Sequence, residues 1–353
     1  MEIFDRRTAS ILTTIVLFIA AGAFIYFAAR VLIVFVLAIL FAYLLEPLVS
    51  RFQRWTRISR GSRSLAILEV YVILCGAIGG ISFVVGTQVI DEVEGLIRIL
   101  PGWLDRFTSG QIALEIGSGR GWSRSTQEWA QRFLSEHSGI MLSWLGSAGT
   151  WAAKAAQNVI WIVLIPILAI FLLKEGRAFS EDILEMANRR QQRQFLAGIA
   201  GDLNDMLAQY IRSQLILAGL SVAAYMAVLS ILRVPFALAL GSAAGVMEFV
   251  PVVGPLVGGA AILGVALLAG YHHLWIVLAF LIAWRLMQDY FTTPRLMGNT
   301  LKLHPLTIIF AVLVGAELGG VVGVYLSIPI AAALRIVWMR WQRVYAPPAI
   351  KVA

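Results

Sequence analysis

The chain has 353 residues, 59% hydrophobic and 14% charged, with a formal charge of +8 and a mean hydropathy of +0.83. A soluble domain carries about a quarter charged residues, which argues against a water-soluble enzyme; disorder is set aside too, because it needs low hydrophobicity. The single cysteine, Cys75, forbids an internal disulfide framework and a cysteine-rich metal site, and the basic residues fall between apolar runs, which is a membrane-topology pattern and not a nucleic-acid face.

A helix needs about 20 apolar residues to cross roughly 30 Å of hydrocarbon. Thr8–Ala29 and Val31–Leu45, separated by Arg30, read as two spans joined tightly. Arg51, Arg54, Arg57, Arg60 and Arg63 follow, with polar residues such as Gln53, Thr56 and Ser59 between them. That run is too polar to span, so it marks a cytoplasmic loop and puts the amino terminus on the same side. Leu65–Gly86 is the third span. From Asp91 to Thr150 the chain turns polar and is expected outside. There Ile90, Val93, Ile97, Leu100 and Leu104 repeat at three and four, an amphipathic seam. Gly117–Gly121 reads as a linker, and Trp122, Trp129 and Phe133 suggest a second amphipathic helix.

Ala155–Leu173 crosses back. Lys174, Arg177, Arg189, Arg190 and Arg193 then lie inside, in a charged helical hairpin whose apolar stripe is Leu196, Ile199, Leu203, Met206 and Tyr210. Ser213–Leu232 crosses outward and stops at Arg233. The expected organisation is three amino-terminal spans in 1–90, a small extracytoplasmic helical domain in 91–150, a fourth span with a cytoplasmic hairpin in 151–210, and a core in 211–345.

The core holds two broken elements. Phe249–Trp284 contains no formal charge over 36 residues, yet it opens with Pro251, Gly254 and Pro255 just after Glu248. Proline removes a backbone donor and clashes with the preceding turn, so one helix cannot continue there. Non-helical backbone at membrane depth survives only inside protein or beside a water-filled cavity. Residues 234–270 therefore read as helix, unwound tip, helix. A second such element spans 305–335, with Glu317 beside Gly319, Gly320 and Gly323, and with Pro329 in its second arm. Parity allows both hairpins to be re-entrant from opposite faces, as in inverted-repeat transporters; two full crossings per hairpin give the same parity. Either way the carboxyl terminus is cytoplasmic, where Trp338, Arg340, Trp341 and Arg343 form an interfacial anchor. The expected fold is an all-α polytopic membrane protein with about six full transmembrane helices, two broken hairpins and a small helical extramembrane domain.

After Asp205 only three acids remain: Glu248, Asp289 and Glu317. An intramembrane carboxylate costs about 2.5–3.5 kcal/mol on insertion scales and is a functional candidate by default. It could bind a cation or carry a proton; it could instead accept hydrogen bonds from N–H groups freed at the break, or pair with Arg233, Arg285 or Arg295. Tyr210 and Gln214 lie one turn apart where a span begins, and Gln288 adjoins Asp289. His304 precedes Pro305 and is expected to cap a helix entrance. His272 and His273 read as an interfacial pair. No G-x-x-x-x-G-K-[ST] phosphate loop and no H-E-x-x-H zinc motif occurs, which leaves transport driven by a gradient and implies neither an enzyme nor a bound cofactor.

Glu248-Phe-Val-Pro-Val-Val-Gly-Pro255 resembles the signature of the autoinducer-2 exporter-like transporter family, or PerM-like permeases. The resemblance continues through Gln288-Asp289, Thr293-Pro294-Arg295-Leu296-Met297-Gly298, Leu303-His304-Pro305, Gly319-Gly320-Val-Val-Gly323 and Ile328-Pro329, and Tyr210-Ile-Arg-Ser-Gln214 fits the same pattern. One departure is Tyr290, where many members carry asparagine. The resemblance covers the carboxyl-terminal half well, and the amino-terminal half by its arrangement of spans. It implies a homo-oligomeric transporter of the bacterial cytoplasmic (inner) membrane, with pentamers in the family type. Its partners would be the lipid bilayer and a small-molecule substrate, with no nucleic acid. Members are linked to export of autoinducer-2 and others to sodium(lithium)/proton antiport, so the coupling ion would be H+ or Na+. A channel or a membrane scaffold stands as the alternative class. The substrate and ion pathway would run past Glu248, Pro251, Gly254, Pro255, Gln288, Asp289, Glu317, Gly319, Gly320 and Gly323.

Overall fold

The computed structural model describes residues 6–55, 61–119, 121, 123–133, 135–136, 139, 159–185, 187, 189–298 and 303–345. In chain order the helices are α1 (Arg6–Trp55), α2 (Arg63–Ile81), α3 (Thr87–Thr108), α4 (Gln111–Gly119), α5 (residues 124–133), α6 (Val159–Glu185), α7 (Arg190–Ile231), α8 (Ala237–Met247), α9 (Val253–Leu268), α10 (Leu274–Met287), α11 (Thr293–Met297) and α12 (Pro305–Tyr345). Wide π-helical turns, Ser82–Gly86 and Gln288–Thr292, join α2 to α3 and α10 to α11. Among the described residues there is no strand, and five helices are long and apolar enough to cross a membrane. The protein is an all-α polytopic membrane protein.

The helices are longer than the charge pattern predicts. The two spans expected on either side of Arg30 are one 50-residue helix, α1. No glycine or proline lies between Phe24 and Leu40, and arginine is a good helix former, so a charge alone does not end the helix. For the same reason the third span and the amphipathic segment after it run on through α2 and α3 over Arg63–Arg106. The inner arm of the charged hairpin and the following span likewise merge into the 42-residue α7. Of the five candidate spans among the described residues, one is the second broken element, Pro305–Arg343, while the Ala155–Leu173 span is only partly described. The linker begins later than predicted, since α4 continues to Gly119. Arg57, Arg60, Trp122 and the first residues of the Ala155–Leu173 span lie outside the described residues.

The chain divides into two compact units, Met1–Val70 with Asn158–Ile183, and Tyr71–Gln157 with Leu184–Ala353, the boundary falling inside α2. In the first unit α1 buries Val34, Ala38, Leu45 and Val49, α2 buries Ala66, Ile67 and Val70, and α6 buries Ala169 and Leu173. The α1 positions repeat at four and seven, one stripe of a helix. Arg63, expected as a loop charge, opens α2; it pairs with Glu46 at 2.6 Å and donates to the Leu173 carbonyl.

In the second unit α7 is the spine, and the hairpin of α8 and α9 lies against it. The apolar core here is Tyr225, Leu229, Val234, Ala237, Leu240, Ala244, Ile262, Ala266 and Val277. Gly241 and Gly245 are spaced four apart and face the α7 backbone at Met226 and Val222, the small-residue contact that lets two membrane helices approach closely. α3 attaches to the hairpin at its other end. Glu92 accepts a hydrogen bond from the Ala239 N–H at 2.8 Å, and the Trp103 ring meets Phe236 edge-on at 6.3 Å. Those two contacts anchor α3, while the predicted seam residues Ile90, Val93 and Ile97 are exposed.

Candidate functional site

The first break is built as the prolines require. α8 ends at Met247, and the tip carries a tight turn in which the Val253 N–H donates to the Pro251 carbonyl at 2.8 Å. Val252 at its centre has φ 68° and ψ −55°. That is a γ-turn of the rare, strained kind, and a β-branched residue at positive φ is an outlier whose strain, about 1–3 kcal/mol, must be held by its surroundings. Gly254 then packs directly on the Met247 carbonyl; a Cβ there would sit 1.8 Å from that oxygen. Only glycine permits this return of the chain.

A helix end leaves carbonyls without intrahelical partners. α7 supplies them. Gln214 Nε2 donates to the carbonyls of Glu248 (3.1 Å) and Phe249 (3.0 Å). One turn earlier, Gln209 and Ser213 do the same for the end of α11, donating to the Leu296 carbonyl at 3.2 and 3.0 Å, with a further bond from Gln209 to Met297. Irregular backbone is thereby satisfied by protein, as hydrocarbon surroundings demand.

The side chain of Glu248 is the centre of the site and is only 5% exposed. Its carboxylate accepts hydrogen bonds from the hydroxyls of Ser221 and Tyr225 and from Gln288 Nε2 at 2.7 Å. Ser221 Oγ in turn accepts from Gln288 at 2.7 Å and from Trp284 Nε1 at 3.2 Å. Gln214, Ser221 and Tyr225 are spaced seven and four along α7, so they share one face. Trp284 and Gln288 come from α10 and its π-turn. Every polar hydrogen of Gln288 Nε2 is used, and the Ser221 hydroxyl gives one bond and receives two, its full capacity. For Glu248, pairing with Arg233, Arg285 or Arg295 is not what occurs: side-chain donors hold the carboxylate, and none of the three arginines is among them.

The other predicted residues divide clearly. Gln288 and Gln214 join Glu248. Pro255 and Val252 line an adjoining pocket of about 230 Å³ with Tyr225, Leu256, Leu281 and Arg285. Asp289 does not join; it is exposed and pairs with Arg285 at 2.9 Å. Pro294 starts α11, Arg295 is exposed, and Gly298 ends the helix at φ 51°. His304 Nδ1 accepts the Leu306 N–H at 3.3 Å, at the entrance to α12, where Pro305 is the first helical residue.

The second break lies at Gly320, φ 55° and ψ −138°, where α12 bends sharply. In a straight helix Gly315 and Gly323 would be about 12 Å apart along the axis. Here they touch: a Cβ on Gly315 would lie 2.4 Å from the Gly323 carbonyl. The chain doubles back on itself. Gly319 is half-buried, Pro329 is buried in the second arm, and Glu317 is exposed and takes no part in the Glu248 network. The two carboxylates expected to work together are thus in different surroundings. The two hairpins do communicate through aromatic rings: Phe249 of the first tip stacks on Tyr325 of the second arm at 4.9 Å, and Tyr210 of α7 lies 6.4 Å from Tyr325. The Tyr210 hydroxyl is buried without a hydrogen-bond partner among the described residues.

Sequence reasoning missed Ser221, Tyr225 and Trp284. Their spacing to Gln214 and Gln288 was the available signal: seven and eleven residues after Gln214, and four before Gln288, each the same face of a helix.

Comparison with known proteins bears on this architecture as a whole. The profile of a family described as AI-2E family transporter matches residues 15–343, so the similarity extends through the amino-terminal half. PerM of Escherichia coli (strain K12) is 26% identical over 357 residues, covering 97% of this chain and 96% of its own. YrrI of Bacillus subtilis (strain 168) is 22% identical over 315 residues, 87% of this chain and 86% of its own. TqsA of Escherichia coli (strain K12), named an AI-2 transport protein, is 24% identical over 313 residues, with 88% and 86% covered. With a match running through both broken hairpins and nearly all of the remaining chain, the protein belongs to the AI-2E transporter family and is an integral-membrane transporter.

Proposed function

We propose that the chain exports a small polar solute, of the autoinducer-2 kind, across the bacterial cytoplasmic membrane by secondary transport, through a passage formed by the two broken hairpins. The observation that carries this reading is the buried Glu248 carboxylate, held at a strained hairpin tip by donors from two other elements. A tip that moves relative to α7 or α10 must release those donors. A solute or a coupling ion, H+ or Na+, can take their place, so occupancy and hairpin position are linked. The name of TqsA supports autoinducer-2 as the first solute to try. In this reading the hairpins are re-entrant, both termini face the cytoplasm and copies of the chain associate in the bilayer.

The test is efflux of autoinducer-2 from proteoliposomes. Wild type releases it, and Glu248→Gln, which keeps the shape and removes the charge, slows release about tenfold or more while the helical signal and melting temperature stay close to wild type. Equal efflux from wild type and Glu248→Gln removes Glu248 from the passage, and with it this reading.

A further inference from the structure

The pocket beside the Glu248 network contains a charge that the proposed passage does not use. Arg285 lines it, opposite apolar walls from Val252, Pro255, Leu256 and Leu281. Arg285 ends a stretch of 36 residues with no formal charge. It lies about 17 Å along the helix from Leu274, near the middle of the 24-residue candidate span Leu274–Met297. A guanidinium at that depth is costly and marks a pathway when it faces a cavity. Its partner is Asp289, one turn on, at 2.9 Å, through Nε alone, and both side chains are nearly half exposed. One bond leaves the guanidinium's terminal nitrogens unused by Asp289, and these are the groups that grip a carboxylate or phosphate by two bonds at once. Asp289 sits in a π-turn, a distortion often found at functional sites.

We infer that Arg285 is the specificity residue of this pocket, that the solute is a small organic anion, and that Asp289 occupies Arg285 when the solute is absent. The inference rests on the reading that the chain moves a small polar solute, and it names that solute's class. The size and lining agree. About 230 Å³ is below the usual range for drug-sized ligands and suits a solute of about ten non-hydrogen atoms. Apolar walls take the carbon skeleton, and Arg285 takes the charged end. Tyr225, which donates to Glu248, lines the same pocket, so the pocket adjoins the Glu248 network. Carboxylates and phosphate monoesters share the required chemistry.

The experiment uses the full chain in proteoliposomes and lipid nanodiscs with succinate, α-ketoglutarate and glycerol 3-phosphate, and with ribose as a neutral solute of similar size. Wild type is expected to bind and move at least one anion in preference to ribose. Arg285→Gln should raise KM for that anion about ten- to hundredfold, the loss of one charge-assisted contact, with any ribose flux unchanged. Arg285→Lys should recover part of the affinity, and Asp289→Asn, which removes the competitor, should lower KM. Succinate preferred over glycerol 3-phosphate assigns the carboxylate class, and the reverse order assigns the phosphate class. Ribose favoured over all three anions, no binding of any anion, or anion flux indifferent to Arg285→Gln would each overturn the inference. Ribose preferred over all three anions, with flux that needs Glu248, would leave the transporter reading standing while the anion class falls. Anion flux that needs Arg285 but not Glu248 would leave the anion class standing and take Glu248 out of the passage.

Discussion

At the scale of single residues, α7 works as a supplier of donors to backbone it does not belong to. Gln214 answers for two carbonyls at the end of α8. Gln214→Leu, similar in size, leaves the buried Glu248 carbonyl unpaired at about 1–3 kcal/mol and the half-buried Phe249 carbonyl without this donor. The expected result is a melting temperature several degrees lower, with the α8–α9 amides exchanging hydrogen faster than those of α1; an unchanged exchange pattern would contradict it. Glu248, Gln288 and Gln214 were legible in the sequence because an acid or amide in a long apolar run stands out. Ser221, Tyr225 and Trp284 were harder to read, since hydroxyl and indole groups are ordinary in membrane helices and only their helical spacing to Gln214 and Gln288 pointed to them. Asp289 and Glu317 stand out in the sequence in the same way but lie outside the Glu248 network: one is held by Arg285 and the other is exposed.

Among the elements, the breaks were readable and the lengths were not. Proline and glycine stop helices by removing a donor or by allowing positive φ, so residues 248–255 and 317–323 announced themselves. Arginine and glutamate stop nothing, and helices predicted to end at charges run on through them. What the sequence could not indicate is that strain in the first tip falls on a valine and not on one of the neighbouring glycines. Val252 holds positive φ, and glycine there would adopt it freely. Val252→Gly should therefore relax the turn, about 1–3 kcal/mol of strain, less what the more flexible unfolded chain takes back. It should also widen the pocket that Val252 lines. The expected signature is equal or higher thermal stability with slower solute efflux, measured on the same purified variant. Lower stability with normal efflux would show the turn to be unstrained.

For the molecule as a whole, its two compact units are each built on long helices, and the broken hairpins belong to one of them. That unit is tied along α7 from end to end. Asp202 holds Arg340 of α12 by two bonds of 2.7 and 3.0 Å, Gln209 and Ser213 hold α11, and Ser221 and Tyr225 hold the Glu248 tip. Since the Asp202–Arg340 pair is partly exposed, it adds only about 1 kcal/mol; its value lies in register.

The grip of α3 on the first turn of α8, through Glu92 and Trp103, has a thermodynamic corollary. Free-energy coupling between two sites is reciprocal. If cargo capture shifts the hairpin, it must also shift the α3 surface, and an antibody fragment recognising α3 must alter cargo affinity by the same factor by which cargo alters the antibody's. Titrating each ligand in the presence of the other gives both factors. Two factors equal to one would mean that this helix only rests on the hairpin; two equal factors different from one would make it a handle by which an outside protein can set the transporter's affinity.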